Sequence, residues 1–118
     1  FIISRVNISI SKEQEKLIKS KLGKVIELVP GKSEQYLLLE FEDNCRLYLR
    51  GDSSKPIAYI TASIFGNEHH LGYEEFSKEV TKIFNEVLNI PVESIYIKFD
   101  DISSWSVAGQ NIDRNSFL

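Results

Sequence analysis

The group best placed to do chemistry in this chain is the α-amino group at Phe1. Phe1-Ile2-Ile3-Ser4-Arg5-Val6-Asn7-Ile8 is β-branched and aromatic from its first residue, so it reads as a strand that holds its amino end against a packed surface. An amine that is buried or flanked by a cation loses proton affinity and can act as a base near neutral pH. Other reactive residues point elsewhere. The single cysteine, Cys45, excludes an intrachain disulfide and a cysteine-based zinc cluster, and fits a reducing compartment. Glu68-His69-His70 holds both histidines of the chain, but adjacent residues do not converge on one ion; an exposed loop and no metal are expected. Arg50-Gly51-Asp52 matches an integrin-binding tripeptide, and its plainer reading is a turn closed by glycine.

The elements that must position these groups are legible in order. Ser11-Lys12-Glu13-Gln14 has the form of a capping box. Ile18, Leu22, Val25, Ile26 and Val29 follow as one apolar stripe of a helix that Pro30-Gly31 ends. Gln35 to Glu42 reads as a strand with Leu37, Leu39 and Phe41 on one face. Glu42-Asp43-Asn44 is a turn, and Cys45 to Leu49 returns as a short strand with Leu47 and Leu49 alternating against Arg46 and Tyr48. Ile57 to Phe65 is apolar on both faces, as in a central strand covered on both sides. A second helix is predicted from about Leu71 to Leu88, on the spacing of Tyr73, Phe76, Val80, Ile83, Phe84, Val87 and Leu88. Ser94 to Phe99 alternates strictly, with Ile95, Ile97 and Phe99 inward. The tail carries Trp105 and ends in Phe117-Leu118.

With 118 residues there is material for one domain with a single core. Strand, helix, strand occurs twice. The predicted fold is therefore α/β: a two-layer sandwich of two βαβ units, a four-stranded mixed core sheet with two helices on one face, and short accessory strands. Two helices leave one sheet face bare, so an oligomer that buries it is expected. A net charge of -3 and a pI near 5.4 argue against nucleic acid and anionic membrane as partners. No apolar run approaches the ~20 residues of a membrane span. Without a signal-like segment the expected compartment is the cytoplasm, with leaderless secretion left open.

Taken together the residues resemble a family. Val6-Asn7-Ile8, Gly31-Lys32, the Arg50 to Pro56 loop, Ser63-Ile64, Ile90-Pro91 before Ile95-Tyr96-Ile97, and Trp105-Ser106-Val107-Ala108-Gly109 with Ser116-Phe117-Leu118 occur in the order and spacing of the tautomerase superfamily. The branch they resemble is that of macrophage migration inhibitory factor and D-dopachrome tautomerase. The resemblance covers nearly the whole chain and implies a homotrimer with sites at the subunit interfaces. It also implies keto–enol tautomerization of small aromatic α-keto acids, phenylpyruvate-like, without cofactor, and an amino-terminal proline as base.

The resemblance carries over residue by residue. Lys32 matches the lysine that pairs with the substrate carboxylate and helps keep the base neutral; a surface lysine after a helix stop is the plainer reading. Tyr96 matches a pocket tyrosine given by the neighbouring subunit, and otherwise is a strand tyrosine at an interface. Lys98 stands where asparagine or arginine is usual. Ile64 and Phe65 compete for one pocket position, because the usual S-I-G is here Ser63-Ile64-Phe65-Gly66. Trp105 and Phe117 are pocket or interface aromatics. The alignment puts Phe1, itself a pocket candidate, at the family's second position, so the proline is expected immediately before it. A Met-Pro-Phe start would lose its methionine and expose that proline, in keeping with a chain that contains no methionine. Two other readings stay open. One is a non-catalytic trimer of the same fold that binds a ligand or a protein, in the manner of a cytokine. The other is a two-layer regulatory ligand-binding domain of ferredoxin-like type.

Overall fold

Ser11 starts the first helix through side-chain bonds to its own first turn. Its hydroxyl accepts from the Gln14 amide at 3.1 Å, and the Gln14 side chain accepts from the Ser11 amide at 2.9 Å. This closes the capping box at the head of α1 (Lys12–Val25) and satisfies two of the donors a helix leaves open. The computed structural model describes residues 1–113; Phe117 lies outside them. A 3₁₀ turn at Ile26–Leu28 prolongs α1, and Ile18, Leu22, Ile26 and Val29 are buried along the stripe. The second helix, α2 (Tyr73–Leu88), buries Phe76, Val80, Ile83, Phe84 and Leu88.

Both helices pack on one face of a four-stranded sheet. In chain order the strands are β1 (Ile2–Val6), β2 (Leu39–Glu42), β3 (Ala58–Phe65) and β4 (Ile95–Ile102). Their spatial order is β2-β1-β3-β4. Each half pairs parallel, β1 with β2 and β3 with β4, and the halves join antiparallel through β1 and β3. Ile2 and Val6 of β1, Ala58, Ile60, Ala62 and Ile64 of β3, and the buried faces of both helices form one apolar cluster. Among these core residues Ser4 is also buried, and its hydroxyl has no hydrogen-bond partner among the described residues.

Several boundaries differ from the sequence prediction; β1 ends at Val6, before Asn7-Ile8, and β3 begins at Ala58. Residues Glu34–Tyr36 form a 3₁₀ turn, and β2 begins only at Leu39. Cys45 to Leu49 is not a strand. The Asn44 and Cys45 amides bond to the carbonyls of Ile8 and Val6 at 3.0 and 2.9 Å, and Leu49 then bridges to Asp52. Alternation of Leu47 and Leu49 with Arg46 and Tyr48 predicts a strand only where a neighbour supplies a ladder, and none does among the described residues. The second helix begins at Tyr73 instead of Leu71, because the Asn67 side chain clasps both the amide and the carbonyl of Leu71 at 3.1 and 2.9 Å. β4 runs three residues beyond Phe99, to Ile102. The tail forms a hairpin, β5 (Ser104–Val107) against β6 (Gln110–Asp113), closed at Ala108-Gly109, where both residues have positive φ.

The uncovered sheet face is more polar than the apolar-on-both-sides reading of Ile57 to Phe65 implied. It carries Tyr59, Thr61, Ser63 and Phe65 of β3, next to Arg5 of β1 and Tyr96 and Lys98 of β4. Arg5 bonds Glu42 at 3.1 Å and lies 5.9 Å from the centroid of the Tyr59 ring. Such exposed pairs contribute little to stability, so this face is free to meet another surface.

Two glycines test the packing. Gly72 has φ +82, and a Cβ there would strike the Leu28 carbonyl of the turn after α1. Gly23, buried within α1, would meet only the carboxylate end of the flexible Glu34 side chain. Gly72→Ala is expected to destabilise by roughly 3 kcal/mol, from backbone strain plus overpacking. Gly23→Ala is expected to be neutral or to stabilise by up to about 1 kcal/mol through helix propensity. Urea unfolding of the two variants measures both.

Candidate active site

The registry of β1 on β3 creates the site. Ile2 lies opposite Ala62 and Val6 opposite Ala58, so Phe1 falls opposite Ser63. The Ser63 amide donates to the Phe1 carbonyl at 2.8 Å, and the Phe1 ammonium donates to the Ser63 carbonyl at 3.1 Å. β3 then runs on past Phe1 to Phe65. Carbonyls two residues apart on a strand point the same way, so the Phe65 carbonyl also faces the β1 side. Lys32 takes it: its ammonium donates to that oxygen at 2.6 Å and sits 5.8 Å from the centroid of the Phe65 ring.

Lys32 is delivered by the stop of α1. After the 3₁₀ turn, Pro30 and the left-handed Gly31 (φ +78) reverse the chain. The Lys32 amide bonds the Val29 carbonyl at 3.1 Å, which sets the side chain across the end of β3. Two amines therefore stand side by side on alternate carbonyls of one strand. Both bind protons less tightly than usual. The amino terminus is lowered from 8.0, first by burial and then by the positive charge of Lys32. Lys32 is lowered by burial. Depressed amines oppose folding while they are charged; that penalty is complete below the folded pKa and fades as pH rises toward the ordinary value.

The other predicted site residues are placed less closely. Phe65, half-buried, is the side chain beside Lys32. Ile64 is 4% exposed and belongs to the core, so it offers this site its main chain alone. Tyr96 is 51% exposed and pairs with Tyr59, six residues before Phe65 and so about 20 Å away along the strand. Lys98 pairs in register with Thr61, and its ammonium lies 3.6 Å from Asp100. Trp105 is on the hairpin, opposite Ile112. Within one chain the structure unites Phe1, Lys32 and Phe65 and leaves Tyr96 and Lys98 along the open face. His70 stacks on Tyr73 (4.9 Å), which stacks on Phe99 (4.2 Å). Among the described residues no group of three or more His, Cys, Asp or Glu could hold a metal ion.

Sequence reasoning missed the part played by Ser63, which holds the amino terminus through its carbonyl; a main-chain role leaves no mark in residue type.

The mixed sheet of two parallel pairs under two helices is shared with solved structures of macrophage migration inhibitory factor homologues. The family model for macrophage migration inhibitory factor matches residues 2–112, and the chain belongs to that family. The solved structure of Leishmania major MIF2 is similar, with a TM-score of 0.86 and 19% identity over 95% of this chain and 96% of that one. The homologue from Prochlorococcus marinus has a TM-score of 0.80 and 23% identity, covering 93% and 96% of the two chains. Pt0534 inactivated by 2-oxo-3-pentynoate has a TM-score of 0.82 and 12% identity, covering 98% and 97%. Among curated proteins, none matches the chain.

The coupling of the two amines is measurable. Lys32→Met is expected to raise the pKa of the amino terminus without restoring its ordinary value, since burial is the larger cause. The pH dependence of amino-terminal acylation reads this; an unchanged profile would show that the two charges do not sense each other.

Proposed function

We propose that this protein is a keto–enol tautomerase of small aromatic α-keto acids, phenylpyruvate-like, working as a homotrimer with an amino-terminal proline as base. The observation that carries the reading is the Lys32 ammonium, held on the Phe65 carbonyl beside the head of β1, where the Phe1 nitrogen bonds the Ser63 carbonyl. A residue placed before Phe1 would continue the β1 register opposite Ile64, between those two carbonyls and next to Lys32. Proline is tolerated at the first position of a strand, where no ladder N–H is required of it.

The chemistry follows from that placement. Neutral at working pH, the amine removes a proton from the carbon next to the keto group, and the electron pair of that C–H bond moves into an enolate. The proton returns to the enolate oxygen in one direction or to carbon in the other. Lys32 pairs with the carboxylate; burial, and after it the charge of Lys32, lowers the neighbouring base's hold on its proton. The Phe65 ring offers an apolar wall for the aryl group. A neighbouring subunit would contribute Tyr96 and Lys98, which one chain holds too far along its sheet. The exposed Lys98–Asp100 pair is weak enough for Lys98 to exchange partners.

Ketonization of enolized phenylpyruvate tests the proposal on two forms of the protein. A chain beginning Pro-Phe1 is expected to be active. One beginning at Phe1 should be slower by about 10²-fold or more, the usual contribution of a positioned base. Lys32→Met should raise KM more than it lowers kcat, because it removes a carboxylate partner. Sedimentation should give a trimer. Trimeric protein with no activity from the proline form would instead favour the non-catalytic, ligand- or protein-binding reading.

A further inference from the structure

Arg50-Gly51-Asp52 takes no part in the site above, and the fold gives it a specific presentation. The Leu49 amide bonds the Asp52 carbonyl at 2.9 Å, and the Asp52 amide bonds the Leu49 carbonyl at 3.0 Å. Arg50 and Gly51 are therefore the two central residues of a tight hairpin turn, both with positive φ, +52 and +77. That is the type I′ requirement, met elsewhere by Asn-Gly or Gly-Gly. An arginine held in the left-handed region is strained, and turn formation alone does not call for it.

All three residues are exposed, and exposed Tyr48 precedes the turn. The base of the loop is fixed. The Asn7 side chain donates to the Lys55 carbonyl at 2.9 Å and accepts from the Ile57 amide at 2.7 Å, tying the loop to the end of β1. Asp52 accepts from the Ser54 amide at 2.8 Å; this bond and one from the Ser54 hydroxyl hold its carboxyl below the usual range. The carboxylate is thus anionic, anchored on one side and open to solvent. A guanidinium and a carboxylate one residue apart on a pre-ordered turn are complementary to an acidic pocket beside a bound divalent cation, since Mg²⁺ and Mn²⁺ bind carboxylate oxygen and a pre-ordered loop loses less entropy on binding.

We infer that this turn is a docking surface for a metal-dependent adhesion receptor of the integrin class, with Asp52 reaching the receptor's divalent cation and Arg50 its acidic pocket. The inference stands apart from the tautomerase proposal, because no residue is shared between the two surfaces.

The test uses the intact protein on an immobilised, purified integrin ectodomain selective for Arg-Gly-Asp, in Mn²⁺ and in EDTA. Binding is expected in Mn²⁺, abolished by EDTA and competed by a soluble Arg-Gly-Asp peptide. Asp52→Glu, which keeps the charge but moves it by a methylene, should weaken binding at least tenfold. Arg50→Gly, which suits the turn conformation better than arginine and keeps the fold, should do the same. No binding by the parent protein, binding that survives EDTA, or equal binding by parent and Asp52→Glu each overturns the inference. Matching thermal melts for the three proteins exclude unfolding as the cause of a loss.

Discussion

The antiparallel ladder between β1 and β3 sets the position of everything else of interest. Its register places Phe1 opposite Ser63 and lets β3 project past the last β1 residue. A strand that outruns its neighbour leaves carbonyls without partners, and a buried carbonyl must find a donor. Ser63 finds the Phe1 nitrogen, and Phe65 finds the ammonium of Lys32. The two nitrogens are drawn together because neighbouring backbone acceptors need satisfying; burial weakens the hold of each on its proton, and the charge of Lys32 weakens that of the Phe1 amine further. A one-residue slip would turn every β1 side chain to the other face, so the core residues Ile2 and Val6 enforce the same register that makes the site.

The two layers divide the work. The helix face holds the apolar mass, with Phe76 and Phe84 among its largest fully buried side chains, and among the described residues the buried polar ones are Ser4, Thr61, Asn67 and Ser94, all uncharged. The opposite face carries polar and aromatic side chains, half-buried along most of β3 and exposed at Tyr96 and Lys98 of β4. Stability is therefore concentrated on one side of the sheet, which leaves the other side free to vary with function.

How much was legible in sequence depended on how local the cause was. Ser11 and Gln14 are three residues apart and cap their own helix, so the prediction needed nothing else. The stripes of α1 and α2 needed only a periodicity. The strand pairs and their two-fold βαβ layout followed from the spacing of apolar segments, and the family was readable from the order of its motifs. The misses share a different cause. Cys45 to Leu49 has the alternation of a strand but, among the described residues, no neighbouring strand along it. Which of Ile64 and Phe65 faces Lys32 depends on the phase of β3, and Ala58, Ala62 and Ser63 blur that phase. Ser63 acts through an atom that every residue possesses. Tyr96 and Lys98 lie away from Lys32 within the chain, a separation set by the β3–β4 register and not by residue type.

The position of β1 also governs how the chain is made. Its parallel partner, β2, lies some forty residues downstream and its antiparallel partner, β3, some sixty. At roughly 5–20 residues per second of synthesis, the strand holding the site waits several seconds for its central neighbour. During that time Ile2 and Ile3 lie on an unpaired edge, the kind of surface that seeds aggregation. α1, capped from within by Ser11 and Gln14, is the one early element able to cover it. The capping box thus guards the nascent chain as well as ordering the finished helix.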